Sequence, residues 1–283
     1  MTLRCDSHIH VVEDPAVFPM VATRTYTAPP APLAALEHAA KPSGIRRFVV
    51  VQPSFYGADN SLLVKTLHQL GPRGRAVAVI DPAHTSDADL TALHQAGVRG
   101  LRVNFYSTLS RQSAVPIEAA FTAAADTAAR MGWHVELLAE LPILLAHAAL
   151  LTASPAPVVI DHYALYGSHT PHSPEGQALL ALLRHGHIWL KLSAPYRVGD
   201  DLATRPDPAW MAAFLDAAAP RCVWGSDWPH TPPHQTQTGG GVPLPYRKLD
   251  YTDVVEGFRA AVGDHALAET IMTANAARLY GFE

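Results

Sequence analysis

The sequence predicts an α/β protein folded as a (β/α)8 barrel of the TIM type. Three observations carry this expectation: eight short β-branched apolar runs, alanine- and leucine-rich stretches between them, and a length of 283 residues that suits one barrel. The runs are Leu3–Val11, Phe48–Gln52, Ala76–Ile80, Gly100–Phe105, His134–Leu138, Val158–His162, Ile188–Leu192 and Cys222–Ser226. Their near-continuous apolar character marks parallel strands covered on both faces. In the intervening stretches apolar residues recur at helical spacing, as with Ile117, Phe121, Ala124, Ala128 and Met131. Parallel strands need crossover helices, and eight strand–helix units close a cylinder.

An open doubly wound sheet is the alternative. It is weakened at the first strand, which leads into Asp6-Ser7-His8-Ile9-His10 rather than a glycine-rich dinucleotide turn. No internal repeat or low-complexity linker divides residues 1–283, so the chain reads as a single domain. Two long connections break the regular spacing, at Val12–Pro32 and at Thr231–Arg247, the second carrying Gly239-Gly240-Gly241. Both follow a strand, which in a barrel places them on the C-terminal face where active sites assemble.

Composition narrows the function. Apolar residues make up 48% and charged residues 16%, the balance of a globular protein. A net charge of −4 with no basic run argues against nucleic acid and anionic membrane as partners. Two cysteines cannot build a disulfide framework, no apolar stretch is long enough to span a bilayer, and MTLRCDSHIH lacks the apolar core of a signal peptide. The expected location is the cytoplasm.

Chemistry-bearing residues gather at strand ends. His8 and His10, two apart on a strand, point the same way into the barrel mouth. His162 ends the sixth run, and Asp227 follows the eighth inside a frame of Trp224, Trp228 and Pro229. That frame is expected to exclude solvent and raise the Asp227 pKa. Asp161 is expected to be a helix N-cap. Trp210, Met211 and Phe214 are expected in the core, and Cys222 as a small buried hydrophobe.

The Asp6-x-His8-x-His10 start, His162 and the Gly225-Ser-Asp-Trp-Pro-His230 run resemble the amidohydrolase superfamily, in its amidohydrolase-2 branch. Arg24-Thr-Tyr26-Thr, Val51-Gln52-Pro53-Ser54, Gly97 through Phe105, Trp133-His134-Val135, and Lys191-Leu-Ser193 through Tyr196-Arg197 are similar to the 2-pyrone-4,6-dicarboxylate lactonases. The likeness runs to the C-terminal Tyr280-Gly-Phe-Glu. It implies a cofactor-free lactone hydrolase of aromatic degradation, acting on a small acidic lactone. Asp227 is then the general base, His8, His10 and His162 surround the lactone carbonyl, and Tyr26, Arg102 and Arg197 hold substrate carboxylates.

This sequence departs from the pattern in two ways. Leu138 stands where metal-dependent relatives place a histidine ligand, and Arg102 and Asn104 stand where binuclear sites use a bridging lysine or glutamate. A further arginine of the lactonase pattern is Thr108 here, with Arg111 nearby but out of register. The runner-up reading is a hydrolase or decarboxylase with one Zn or Mn ion on His8, His10 and Asp227 and with His162 as acid/base. A third is a non-catalytic binder of organic acids, which leaves the convergence of histidines and Asp227 without a purpose.

Overall fold

The computed structural model describes residues 3–106, 115–232 and 243–283. Eight parallel strands form one sheet in chain order: β1 (Arg4–Ile9), β2 (Ile45–Val51), β3 (Gly74–Ala78), β4 (Val98–Asn104), β5 (His134–Leu138), β6 (Val158–Ile160), β7 (Ile188–Ser193) and β8 (Cys222–Gly225). Every apolar run of the sequence is a strand, and helices surround the nearly closed barrel. β6 is shorter than its run, so His162 lies beyond the strand rather than on it. Among the described residues no helix is long and apolar enough to cross a membrane. The glycine triplet, Thr108 and Arg111 lie outside the described residues.

Strand alternation sorts the core into two layers. Phe48, Val50, Leu101, Val135, Leu190 and Trp224 pack outward under the helices, where Trp210, Met211 and Phe214 join them as expected. Cys5, Val49, Val51, Val77, Val159 and Val223 form an inner cluster, joined by Tyr280 and Phe282 from the C-terminus. Arg75, at the start of β3, donates to the Tyr280 and Gly281 carbonyls, so the chain end plugs the barrel at the N-terminal end of the strands. The two long connections meet above the opposite end, where Leu244 N donates to the Thr27 carbonyl at 3.2 Å. Some helices start at side-chain caps: Ser86 opens Asp87–Ala96 with a reciprocal capping box, and Asp250 caps Tyr251–Val262.

The barrel closes between β1 and β8. Asp227 N donates to the His8 carbonyl at 2.9 Å, and His10 N donates to the Trp228 carbonyl at 2.8 Å. The buried Asp6 carboxylate accepts from Ser226 N at 2.9 Å, His8 N at 3.1 Å and the Tyr251 hydroxyl at 2.7 Å. One residue is bulged out of β1, because Asp6 opposes Phe48 while Ile9 opposes Val50. The strands approach so closely that a Cβ on Gly225 would lie 2.6 Å from His8 Cβ and 2.8 Å from His8 N. Gly225→Ala should therefore destabilise the fold by about 1–3 kcal/mol. Gly186, with nothing within 4 Å of a built Cβ, is the matched control. Urea melts of both alanine variants test this; equal stabilities would contradict a tight seam.

Candidate active site

Four strand ends supply the site. β1 contributes His8 and, one residue past its end, His10, and the segment after β8 contributes Asp227, held at φ 58°. After β6 the chain enters a left-handed turn in which His162, Tyr163, Ala164 and Leu165 all have positive φ (49°, 53°, 58° and 43°). Such conformations cost roughly 1–2 kcal/mol per non-glycine residue, and burial of all four residues holds them in place. The turn brings the His162 ring to 4.7 Å from that of His8, with Nδ1 2.8 Å from Ser193 Oγ on β7. The His8 and His10 rings meet edge to face at 5.0 Å.

Asp227 has two different oxygens. Oδ2 accepts from the Tyr196 hydroxyl at 2.7 Å and from Arg197 Nε at 2.9 Å. Oδ1 is buried without a hydrogen-bond partner, 3.5 Å from His8 Nε2 and 3.4 Å from His10 Nε2. His10 Nδ1 lies 2.8 Å from the Val51 carbonyl, which can only accept, so Nδ1 carries the hydrogen and the neutral ring keeps a lone pair on Nε2. His10 Nε2 and Asp227 Oδ1 thus form an acceptor pair suited to a water's two hydrogens.

The mouth above is lined by Tyr26, Ser54, Arg102, Asn104, Leu138, Arg197 and Thr231, together with His10. Arg102 donates from Nη1 to the Gln52 carbonyl at 2.7 Å, and its buried Nε has no partner. Arg197 reaches Thr231 as well as Asp227. All seven residues singled out in the sequence (His8, His10, Tyr26, Arg102, His162, Arg197 and Asp227) lie at this end of the barrel.

Beneath the histidines is a fully buried ionic cluster that the sequence reading missed. Lys191 on β7 pairs with Glu136 on β5, lies 3.3 Å from Asp161 Oδ1, and reaches His8 Nδ1 at 3.2 Å. Asp161 occupies the expected N-cap position of the turn after β6, but its side chain makes no cap hydrogen bond and its carboxylate belongs to this cluster instead. A signal was available: Glu136 and Lys191 are charges inside otherwise apolar strands, where an ion needs a partner.

Electrostatics overturn one expectation. Burial alone would raise the Asp227 carboxyl, but the Arg197 guanidinium first, and then the nearby His162, outweigh it and hold the group well below the usual carboxylate range. The aromatic frame was legible, whereas the guanidinium inside it was not. Burial, aided by Lys191, drives His8 well below its ordinary value, and burial pushes His162 down to about 3 despite Asp227 and Asp161. Burial and the nearby Asp161 raise Glu136 to about 7.

A divalent ion fits this site by donor number but not by charge. His8 Nε2, His162 Nε2 and Asp227 Oδ1 are unpartnered, and these three residues can bring ligand atoms within 4.8 Å of one another, the protein share of a catalytic zinc site. Yet Arg197 already neutralises Asp227, and an ammonium stands behind His8 where metal-bound histidines have an acceptor. A second acidic grouping, His8 with Glu136 and Asp161, surrounds Lys191 itself.

Comparison with known proteins is consistent across the chain. The family profile described as "Amidohydrolase" matches residues 5–282. The chain is 33% identical over 240 residues to the 2-pyrone-4,6-dicarboxylate hydrolase of Comamonas testosteroni, covering 80% of this chain and 76% of that one. It is 29% identical over 282 residues to the 4-sulfomuconolactone hydrolase of Rhizobium radiobacter, covering 98% and 89%. A solved Pseudomonas putida structure, assigned as a 2-pyrone-4,6-dicarboxylic acid hydrolase, superposes with a TM-score of 0.80 at 26% identity over 100% of this chain and 99% of that one.

The buried histidines set the acid stability. His8, His134, His162 and His230 are all held neutral by burial, with His134 and His162 at about 3 and His230 at about 4. An unfolded histidine takes a proton near pH 6.5 and these do not, so each costs about 1.4 kcal/mol of stability per pH unit below that value. Asp6, raised to about 6 by burial, and Glu136 at about 7 act in the opposite sense, because the folded state keeps their protons longer. Four groups outweigh two, and stability should fall as pH drops from 6 toward 4.5. Urea melts at pH 7.5, 6 and 5 check this; a stability that holds or rises on acidification would show that these rings are not kept neutral.

Proposed function

Because the chain belongs to the amidohydrolase family, we propose that it is a lactonase that opens the ring of a carboxylated lactone by attack of water on the ring carbonyl, without a resident metal ion. The observation that carries this reading is the division of Asp227, with Oδ2 anchored by Tyr196 and Arg197 and Oδ1 left facing two imidazoles. Both curated relatives are named for the hydrolysis of acidic lactones, which supports the reaction class.

In this reading the water sits between Asp227 Oδ1 and His10 Nε2. Its proton passes to Oδ1 while its oxygen bonds to the lactone carbonyl carbon. Charge then develops on the carbonyl oxygen, and neutral His8 and His162 face it as hydrogen-bond donors. Collapse of the tetrahedral intermediate breaks the ring C–O bond, and the departing oxygen recovers the proton from Asp227. A carboxylate held at low pKa is always ionised but is a weak base, so most of the rate must come from stabilising the oxyanion; one such donor is worth ~10²–10³. Leu138, the Arg197 pairing of Asp227 and the Lys191 ammonium favour the metal-free form over one Zn or Mn ion held by Asp227 and the histidines.

The deciding experiment measures turnover of 2-pyrone-4,6-dicarboxylate, 4-sulfomuconolactone and a neutral lactone by exhaustively chelated enzyme of measured metal content. Undiminished hydrolysis of an acidic lactone is expected; activity that disappears and returns with Zn²⁺ or Mn²⁺ would refute the metal-free mechanism. Asp227→Asn should leave the fold intact and lower kcat by ~10²–10⁴. Near-normal hydrolysis by that variant would remove Asp227 as the base. Arg102, with its unpartnered Nε in the mouth, is the substrate's carboxylate grip in this reading. Arg102→Lys keeps the charge but loses the planar fork, so kcat/KM for the acidic lactone should fall by about 10–100-fold while that for a neutral ester stays. Equal loss on both substrates would rule out carboxylate recognition by Arg102.

A further inference from the structure

We infer that Lys191 is a positioning residue that fixes His8 in the tautomer with its hydrogen on Nε2, so that His8 presents an N–H and not a lone pair to the reacting carbonyl. Lys191 Nζ lies 3.2 Å from His8 Nδ1, and an ammonium has three hydrogens to give and no lone pair to accept with. Nδ1 must therefore accept. In a neutral imidazole the remaining hydrogen then resides on Nε2, the atom that faces the Asp227 carboxylate from 3.5 Å. The other partners available to Nδ1 are more distant: Asp161 Oδ1 at 3.5 Å and Glu136 Oε1 at 3.7 Å.

The ammonium is well placed to enforce this. Lys191 is fully buried, its strand neighbours Leu190 and Leu192 are packed in the outer core, and Glu136 and Asp161 hold its charge in place. His10 is set the opposite way, with Nδ1 donating to the Val51 carbonyl and Nε2 left as an acceptor. The two histidines at the end of β1 thus form a donor and acceptor pair: His10 takes a hydrogen from the water, and His8 gives one to the oxyanion. The same tautomer argues against a metal ion on the convergent donor atoms, since an N–H cannot ligate. Metal-bound histidines are backed by an acceptor, and here the backing group is a cation.

This inference rests on the lactonase reading for its catalytic meaning but not for its test. ¹⁵N NMR of histidine-labelled protein, with His8 assigned through His8→Gln, reads the tautomer whether or not any lactone is turned over. The wild-type ring should show Nδ1 unprotonated and Nε2 protonated; a protonated Nδ1 overturns the inference. Lys191→Met paired with Glu136→Gln removes one buried cation and one buried anion together, and Glu136→Gln alone is the control that keeps Lys191. In the double variant His8 should lose its single tautomer and kcat should fall about 10²-fold with KM within about threefold, as expected for loss of a donor that acts in the transition state. The control, which keeps the ammonium, should keep the single His8 tautomer, and that difference between the two variants assigns the effect to Lys191. A folded double variant with wild-type kcat and tautomer would sink the role assigned to Lys191, and the wild-type spectrum remains decisive should that variant be unstable.

Discussion

The seam between β1 and β8 is the constraint on which the site depends. His8 and His10 lie on one side of it and Asp227 on the other, so their distances are set by how the barrel closes rather than by either segment alone. Asp6 holds that closure by accepting from Ser226 N across the seam and from the Tyr251 hydroxyl of the following helix, while His8 N of its own strand fixes the carboxylate. Gly225 permits the contact, since any side chain there would strike His8. A shift of one residue in this register would turn Asp227 away from the histidines, because successive strand residues point to opposite faces.

Charge is organised in two stacked tiers. The lower one surrounds Lys191 with Glu136 and Asp161, and the upper one joins Asp227 to Arg197 and Tyr196. Isolated, any of these ions would be costly to bury; paired, they hold a field between them. The imidazoles of His8 and His162 sit in that field and stay neutral, which makes them hydrogen-bond donors and acceptors rather than fixed charges. In the proposed reaction an oxyanion forming there would meet preoriented, buried dipoles, the setting in which such groups are most effective. The left-handed turn after β6 and the positive φ of Asp227 are the backbone strain carried to place two of these groups.

The arginines divide the work. Arg197 is drawn down onto Asp227 and Thr231, while Arg102 is braced by the Gln52 carbonyl with Nε unpartnered. Gln52 is itself tied to the Gly57 and Asp59 carbonyls, so the end of β2 braces a side chain from β4. Tyr26 arrives from the long connection after β1, which packs on Phe55. Residues from distant parts of the chain therefore share one mouth.

The sequence by itself determined the barrel, because strand and helix signals are local: apolar runs, helical spacing and turn residues act within a few positions. It also marked His8, His10, His162 and Asp227, since each stands at the end of an apolar run that a parallel barrel points toward its mouth. Tertiary structure alone decided what these groups are chemically. Asp227 is made more acidic by Arg197, thirty residues away, against the expectation from its apolar neighbours. His8 is backed by Lys191 across 183 residues of chain, and Lys191 meets Glu136 across 55. The bulge in β1 and the left-handed turn carrying His162 appear only when neighbouring strands are paired. Proton affinity and tautomer follow from the field of groups brought within a few ångströms by folding, and no stretch of linear sequence contains that field.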